Sequence, residues 1–288
     1  MKIAVLIATF GRAQELARLL KHLERQTRQP DMVLISAPDR THIPNEIART
    51  FPISFVFGRT GLPAQRNAAL DRVEKSFDAL TFFDDDFIPA DDYLAGVLTA
   101  FEQHDDWVVV TGNVLRDGAS NAGLSWEEAI RTLDEAGSTV DARATDRFSA
   151  YGCNMSIRAA TIGALRFDER LVLYGWQEDV DFTSQLRAKG RVVALHSIRG
   201  VHLGVKSGRV SGVRFGYSQI ANPIYLMRKG TVPPSFALKL MGKNILANLA
   251  RSVWPEPYVD RLGRLRGNLL AFSHVARGRV QPEYVLEI

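Results

Sequence analysis

Short apolar runs alternate with helical patterns through the first 83 residues, and this alternation constrains the fold more than any other feature. The runs 3–8, 32–36, 53–57 and 79–83 have the length and composition of buried strands, and helical patterns occupy 13–26, 45–50 and 63–76. Such spacing is typical of βαβ units. The sequence therefore predicts an α/β fold with a mainly parallel sheet flanked by helices, whose ligands bind beyond the carboxyl ends of the strands.

The rest of the chain continues the α/β pattern and then becomes helical. Helices are predicted at 91–103, near 125–136 and from 178 towards 190, with strands at 107–111 and 191–195 and a turn-rich segment between them. Two prolines in 231–234 indicate a boundary, and 235–254 has a helical period. A chain of 288 residues, 46% of them hydrophobic, can bury a full core.

Cysteine content and apolar run length limit the class of protein. The single cysteine, Cys153, excludes an intrachain disulfide framework and a thiolate zinc cluster, and it fits a reducing compartment. The apolar start of the chain is interpreted as a first strand, not as a signal peptide. No run approaches eighteen apolar residues, so we expect no membrane span.

Positive charge is concentrated at the end of the chain. Residues 228–288 contain ten Lys or Arg and four Asp or Glu, a net +6, whereas the remainder carries −2. In the helix 235–254, one predicted face is apolar and the other polar: Phe236, Leu240, Met241, Ile245, Leu249 and Val253 against Lys239, Lys243, Asn244, Asn248 and Arg251. Such a helix either packs on the core or lies on an anionic bilayer.

Three adjacent aspartates, Asp84, Asp85 and Asp86, follow the predicted strand 79–83. Neighbouring carboxylates repel each other, so a cation is expected to offset them. Magnesium and manganese prefer oxygen ligands and bind one or two carboxylates together with substrate phosphates. The alternative is an acidic loop or helix cap without a metal.

A nucleotide bound to such a metal needs further contacts, which we expect at the ends of the first two strands. Candidates are Thr9, Phe10 and Arg12 in the first turn, and Asp39, which is expected to accept hydrogen bonds from the base or sugar. Arg66 opens the next helix and is expected either to reach the phosphates or to brace the aspartates through a salt bridge.

A second acidic group, Glu178, Asp179 and Asp181, begins a predicted helix, where carboxylates stabilise the free amides. Three of them next to Trp176 and Gln177 exceed what capping needs. A carboxylate beside an aromatic ring suited to a sugar can act as general base on an incoming hydroxyl, and Asp179 is assigned that role. His196 and His202 follow the strand 191–195; either is structural, or His202 completes a metal site with Asp86.

In their order, these motifs resemble the family 2 glycosyltransferases, inverting enzymes of the GT-A fold. The resemblance covers about the first 205 residues and includes the Thr9 to Arg12 start, Arg66-Asn67, the aspartate triplet, 152–155, Glu178-Asp179 and His202. It implies that Asp84 contacts the ribose or metal, that Asp86 and His202 ligate Mn²⁺ or Mg²⁺, and that Asp179 is the catalytic base. Direct displacement at the anomeric carbon, with inversion, is implied as well.

One motif departs from the family, whose frequent Asp-Asp-Gly-Ser after the second strand is Ser36-Ala37-Pro38-Asp39 here. Past Gly204 the chain is similar, more loosely, to bacterial exopolysaccharide and capsule glycosyltransferases through 222–229. This likeness implies an acceptor linked to a lipid diphosphate at the inner membrane, and the basic tail fits such an acceptor.

These observations together predict a catalytic domain over 1–212, with a nucleotide-binding half (1–100) and an acceptor half (101–212), followed by a basic helical extension over 213–288. The nucleotide-binding set includes Asp85, and the acceptor-binding set is Trp176, Gln177 and Glu178. We expect a nucleoside-diphosphate sugar donor, foremost a UDP-sugar, a lipid-linked or polysaccharide acceptor, and a cytoplasmic protein peripheral to the membrane.

Two other classes stay open. A sugar-phosphate nucleotidyltransferase shares a nucleotide-binding sheet and metal carboxylates, but the turn 9–12 is short and poor in glycine for its phosphate loop. A non-catalytic nucleotide- or nucleic-acid-binding protein would use the basic tail. That tail contains no recognisable nucleic-acid module and no aromatic residues interleaved with its arginines, so no nucleic-acid partner is expected.

Overall fold

The computed structural model describes residues 1–47, 50–73, 76–137, 141–206 and 211–288. Within them, nine strands form one sheet: β1 Ile3–Ala8, β2 Met32–Ala37, β3 Ile53–Phe57, β4 Ala79–Asp84, β5 Phe87–Pro89, β6 Trp107–Asp117, β7 Ala144–Asp146, β8 Asn154–Arg158 and β9 Arg191–His202. The helices are α1 Ala13–Leu23, α2 Leu62–Arg72, α3 Tyr93–Gln103, α4 Trp126–Ala136, α5 Glu178–Leu186, α6 Gly212–Lys229, α7 Pro234–Val253 and α8 Arg261–Ala276.

The sheet has the order β3-β2-β1-β4-β8-β6-β9-β5, with β7 on β9. Strands β3, β2, β1 and β4 are mutually parallel, and β6 is parallel to β9. Strand β8 lies antiparallel between β4 and β6, and β5 is antiparallel to β9. The first, parallel part follows the predicted βαβ units; the antiparallel strands bring later parts of the chain to the end of β4.

Helices cover both faces of the sheet, which explains why β1 is apolar along its whole length. Ile3, Val5 and Ile7 of β1 pack with α1 and α3, while Ala4 and Leu6 pack on the opposite face with α2 and α5. Successive side chains of a strand point to opposite faces, so a strand buried on both sides contains no polar alternation.

The last three helices form their own packed group. Helices α6 and α8 approach closely because glycines face each other: a Cβ on Gly216 would lie 2.0 Å from the Arg264 carbonyl oxygen. Any larger residue at Gly216 would therefore separate the helices. Within the described residues, no helix combines the length and apolar character needed to cross a bilayer.

The α/β fold class and the helical C-terminal extension are confirmed. The predicted strands 3–8 and 53–57 match β1 and β3, and most predicted helices lie within a few residues of the observed ones. Helix α4 begins with a capping box formed by Ser125 and Glu128. The domain boundaries at 212 and 213 stay predictions.

Four predictions of secondary structure were wrong in part. The helix predicted at 45–50 is absent from 45–47 and 50, and 48–49 lie outside the described residues. Helix α2 ends at Arg72 because Val73 is already extended. Strands β6 and β9 run six or more residues past their predicted ends, so His202 closes β9 instead of following it. Strands β5, β7 and β8 were not predicted.

The predicted apolar face of α7 packs inward at Phe236, Met241 and Ile245, but the prediction was wrong further along the helix. Asn248 is buried and donates hydrogen bonds to Gln219 and Asn268, whereas Leu249 and Val253 are exposed. A buried amide is stable when its donors and acceptors are paired, so a polar residue occupies the packed side of the helix and apolar residues remain on the outside.

Candidate active site

Strands β1 and β4 end side by side and create the crevice. Ala8 pairs with Asp84, so Thr9 and Asp85 follow at neighbouring strand ends. Strand β5 begins directly after Asp86, and its pairing of Phe87 with His202 brings the end of β9 to the same place. The aspartate triplet and a histidine more than a hundred residues later thus meet because of strand register.

Asp84, Asp86 and His202 form a group that we term the metal triad. Their ligand atoms all lie within 4.8 Å of one another. Asp86 and His202 are buried, and His202 Nε2 lies 3.3 Å from Asp86 Oδ1. Asp86 Oδ1 thus faces the imidazole, whereas Asp86 Oδ2 accepts from the Val205 amide at 2.8 Å. Two carboxylates that converge with an imidazole nitrogen fit a divalent cation.

The protonation of the triad also favours a cation. Burial on its own lowers the pKa of His202, but hydrogen bonds to Asp117 and Asp86 raise that pKa to about 10. Burial on its own raises the pKa of Asp86, and His202 with Arg12 lowers it to about 2. His202 is therefore a positively charged imidazolium beside the carboxylates. A metal ion bound by the triad would take the place of the proton.

Asp85 has different partners from its two neighbours. Its Oδ2 accepts from Thr9 Oγ1 at 2.8 Å, and its Oδ1 lies 3.0 Å from Arg12 Nη1. Arg12 also lies 3.4 Å from Asp86 Oδ2. Burial raises the pKa of Asp85, and the charge of Arg12 opposes this increase. Thr9, Arg12 and Asp85 thus bind one another and fix the first turn against the triplet.

Arg66 joins the triplet to the second acidic group. The side chain is buried, and its Nη2 donates to Asp84 Oδ1 at 2.9 Å and to the Gly152 carbonyl at 2.7 Å. Its Nη1 donates to Glu178 Oε1 at 2.5 Å. Arg66 was expected either to reach the phosphates or to brace the aspartates through a salt bridge. The observed contacts are those of the brace. One guanidinium therefore fixes the distance between the end of β4 and the start of α5.

Asp179 lies in the first turn of α5, after Gln177 in the left-handed conformation at φ 75°. Its Oδ2 accepts from the Gly152 amide at 2.7 Å, and its Oδ1 accepts from the Val180 amide at 2.8 Å. Burial raises the pKa of Asp179; the backbone bonds and Arg66 lower it in part. A carboxylate with a raised pKa, held by two amides, is suited to accept a proton.

The other two acids at the start of α5 each pair with a basic side chain. Glu178 is buried against Arg66. Asp181 is fully buried, 2.7 Å from Lys229 Nζ and 2.6 Å from Thr231 Oγ1. Lys229 ends α6, so the C-terminal extension is bonded directly to the helix that carries Asp179.

Residues expected at the nucleotide lie at the ends of β1 and β2. Phe10 is exposed and stacks on His42, with ring centroids 4.8 Å apart. The Gly11 amide donates to His42 Nδ1. The Asp39 side chain accepts hydrogen bonds from the amide and the hydroxyl of Thr41 and so caps a short 3₁₀ turn at Arg40–His42. The ring of Phe10 and the exposed carboxylate of Asp39 are available to a ligand.

The predicted acceptor residues differ in accessibility. Trp176 is half-buried beside Phe215 of α6, at 5.7 Å between ring centroids, in a small open cleft that Tyr174 and Arg214 also line. Gln177 and Glu178 are buried, and the amide of Gln177 has no hydrogen-bond partner among the described residues. His196 lies 3.9 Å from Asp141 and is not part of the triad.

Sequence reasoning missed four residues of this region: His42, Asp117, Tyr151 and Phe215. Asp117 Oδ1 lies 2.9 Å from His202 Nδ1, and Tyr151 donates to Asp117 Oδ2 at 3.0 Å. None of the four belongs to a short motif with the residue that it contacts, so proximity in the fold is the signal that identifies them.

Two solved proteins share this architecture. The mannosyltransferase PcManGT from Pyrobaculum calidifontis, solved with GDP-Man and Mn²⁺, gives a TM-score of 0.56 at 14% identity over 99% of this chain and 78% of that chain. Residues 1–349 of S. aureus TarS give 0.52 at 14% identity over 88% and 72%. The longer TarS chain gives 0.50 at 16% identity over 79% of this chain, which spans 40% of it.

At these identities the likeness shows the fold. No curated protein matches the sequence. The model of the family "Glycosyl transferase family 2" matches residues 4–160, more than half of the chain, and this segment contains β1, the aspartate triplet and β8. The chain therefore belongs to glycosyl transferase family 2 and is a glycosyltransferase of the GT-A fold.

Proposed function

We propose that the protein is a metal-dependent, inverting glycosyltransferase that moves a sugar from a nucleoside-diphosphate sugar to an acceptor hydroxyl. The observation that supports it most is the Arg66 brace, which holds the metal triad and Asp179 in one crevice through Asp84, Glu178 and Gly152. A transfer with inversion needs a site for the leaving group and a base on the opposite side of the sugar, and we assign these roles to the metal triad and to Asp179.

Asp84, Asp86 and His202 would hold Mn²⁺ or Mg²⁺. The bound metal supplies Lewis-acid stabilisation of charge on the departing diphosphate. Arg12 and Asp85 fix the turn around the triad, and Arg66 keeps Asp84 in place. We assign these residues, with Thr9, to the nucleotide end of the site as positioning groups, and Phe10 and Asp39 as direct contacts.

Asp179 would accept the proton of the acceptor hydroxyl as the oxygen forms its bond to the anomeric carbon. The bond between that carbon and the diphosphate oxygen breaks, and the electron pair leaves with the nucleoside diphosphate. The amides of Gly152 and Val180 aim the carboxylate. Trp176, Gln177 and Glu178 precede the base directly, and the cleft beside Trp176 is the proposed position of the acceptor.

The donor is proposed to be a UDP-sugar. PcManGT was solved with GDP-Man and TarS with UDP-GlcNAc or UDP, so both nucleotides occur on this fold. Because a bound ligand stabilises the folded state by mass action, a thermal-shift screen of UDP, GDP and dTDP with and without Mn²⁺ separates them. A stabilisation by GDP that exceeds the one by UDP would replace the proposed donor.

The acceptor is proposed to be lipid-linked or a polysaccharide in bacterial surface or exopolysaccharide synthesis, reached by a protein peripheral to the cytoplasmic face of the membrane. Leu246 and Val253 of α7, and Trp254 directly after that helix, are 69%, 69% and 73% exposed. Helix α8 adds exposed Leu269 and Phe272. Apolar side chains on two adjacent helices are typical of a surface that contacts a membrane or another protein.

Charge favours an anionic bilayer over a second copy of the chain. Lys239, Lys243, Arg251 and Arg266 are exposed on the same two helices, and residues 228–288 carry a net +6. Two such surfaces would repel each other, whereas an anionic leaflet attracts both the basic and the apolar side chains.

Vesicle flotation of the full chain tests this surface. We expect flotation with vesicles containing phosphatidylglycerol, weaker with phosphatidylcholine alone, and lost when Leu246, Val253 and Trp254 are changed to Ser. Phe57→Ser, at an exposed apolar residue of β3, is the matched control and should float as the unchanged chain does. Absence of flotation, or a dimer that the triple change dissociates, would contradict the membrane assignment.

Release of product tests the reaction itself. A glycosyltransferase releases the nucleoside diphosphate, whereas a nucleotidyltransferase releases or consumes pyrophosphate. We expect UDP release that depends on Mn²⁺ or Mg²⁺ and on an added acceptor. Pyrophosphate formation from a nucleoside triphosphate and a sugar phosphate would overturn the proposal.

A further inference from the structure

Asp117 has a place in the site that no motif indicates. It ends β6 and pairs in register with His202 at the end of β9, after three irregularities in the pairing of the two strands. Each irregularity shifts the register, so the pairing of these two residues depends on all of them. The result is a carboxylate directly behind the histidine of the metal triad.

Asp117 is itself held firmly. Its Oδ1 accepts from the Ala119 amide at 2.8 Å and lies 2.9 Å from His202 Nδ1. Its Oδ2 accepts from the Tyr151 hydroxyl at 3.0 Å. An amide, a hydroxyl and an imidazole nitrogen thus converge on the Asp117 carboxylate and fix its position.

The two nitrogens of His202 therefore face different partners. Nδ1 lies 2.9 Å from Asp117 Oδ1 and 3.3 Å from the Tyr151 hydroxyl, whereas Nε2 lies 3.3 Å from Asp86 Oδ1. When Nδ1 carries the proton that Asp117 accepts, the lone pair of Nε2 is directed at the position between Asp84 and Asp86. A carboxylate behind a metal-binding histidine fixes the orientation of the ring and its tautomer.

We propose that Asp117 is a positioning residue that orients His202 towards a divalent cation, and that Tyr151 holds Asp117 in this role. The proposal rests on the proposed metal site. It further predicts that residues outside the metal triad control the affinity of the triad for the cation. The loss of affinity in each variant should follow the hydrogen bonds that the change removes.

Titration of the full chain with Mn²⁺ in the presence of UDP, followed by the electron paramagnetic resonance signal of free Mn²⁺, tests the proposal without measuring turnover. We expect Asp117→Ala to weaken Mn²⁺ binding by about 10- to 100-fold, as for other such partners of metal-binding histidines. Asp117→Asn keeps an acceptor oxygen for Nδ1 and should lose less. Tyr151→Phe removes one bond to Asp117 and the 3.3 Å contact with His202 Nδ1, but it keeps the Asp117 carboxylate, so it should weaken Mn²⁺ binding least.

Asp141→Ala is the matched control, because Asp141 also lies beside a histidine of β9, His196, outside the triad. It should bind Mn²⁺ as the unchanged chain does, and thermal melting should show that each variant is folded. If Asp117→Ala binds Mn²⁺ normally while His202→Ala does not, the positioning role is overturned and the metal site stands. If the unchanged chain binds no Mn²⁺, both the metal site and the role of Asp117 are overturned.

Discussion

The aspartate triplet after β4 and the acidic group at the start of α5 have similar compositions but differ in how their carboxylates are partnered. In the triplet, Asp84 and Asp86 converge with His202 on one position. In α5, Glu178 is held by Arg66, Asp181 by Lys229 and Thr231, and Asp179 by two amides. Convergence suits a cation; separate partners leave a single carboxylate for proton transfer.

A run of acidic residues therefore does not by itself determine whether its carboxylates bind a cation or accept a proton. Each residue takes the role that its partners allow, and Arg66 keeps the two groups at a fixed separation. Four changes test whether the groups have the distinct tasks that their partners indicate.

The largest effect is expected for Asp86→Ala. This change removes a ligand of the metal triad, so Mn²⁺-dependent release of nucleoside diphosphate should be abolished. Because Asp86 also accepts from the Val205 amide, thermal melting must show that the variant is folded, and Asp84→Ala should give the same loss. Full activity in either folded variant would remove the metal from the account.

Asp179→Asn should reduce kcat by about 10²- to 10⁴-fold, the contribution of a general base. The amide cannot accept the proton of the acceptor hydroxyl, while the triad is untouched, so the affinity for UDP with Mn²⁺ should be kept. Steady-state kinetics measures the change in kcat, and a titration with UDP in the presence of Mn²⁺ measures the affinity. Loss of UDP binding instead would place Asp179 with the nucleotide.

Arg66→Ala should destabilise the protein by about 3–5 kcal/mol, because it leaves the buried carboxylate of Glu178 and the half-buried carboxylate of Asp84 without the guanidinium that pairs with them. Arg59→Ala is the control: Arg59 pairs with Glu169 at the surface, where such a bond contributes about 0–1 kcal/mol. Urea unfolding measures both. Equal effects would show that Arg66 does not join the two groups.

The pH dependence of kcat should show the smallest effect, about tenfold per pH unit on its acidic side. The base must be unprotonated, and burial raises the pKa of Asp179 above its ordinary value of 3.8. Activity is therefore expected to be lost as pH falls through a midpoint higher than 3.8, and Asp179→Asn should lose this dependence. A midpoint at or below 3.8 would assign the base elsewhere.

The sequence predicted the parallel half of the sheet and the place of the aspartate triplet because both depend on short-range patterns. Strand β1 with the triplet follows from apolar runs, and parallel strand ends meet at one edge. His202 was predicted as a metal ligand only from the order of the family's motifs. Its position beside Asp86 depends on the pairing of β5 with β9, which the sequence did not predict.

The rest could not be predicted because it depends on register between distant segments. Asp117 reaches His202 only through the irregular pairing of β6 with β9. Tyr151 and Gly152 precede β8, an antiparallel strand without an alternating pattern, and they connect Asp117 with Asp179. The side of α7 that packs inward is decided by the amides of Gln219, Asn248 and Asn268, which periodicity assigns to solvent.

The division of the site into a metal group and a base is tested most directly by the thermal shift that UDP produces with and without Mn²⁺, measured on the unchanged chain, Asp86→Ala and Asp179→Asn. The account predicts a shift that requires Mn²⁺ in the unchanged chain, is kept in Asp179→Asn and is lost in Asp86→Ala. A Mn²⁺-dependent shift of unchanged size in Asp86→Ala, or its loss in Asp179→Asn, would contradict the account.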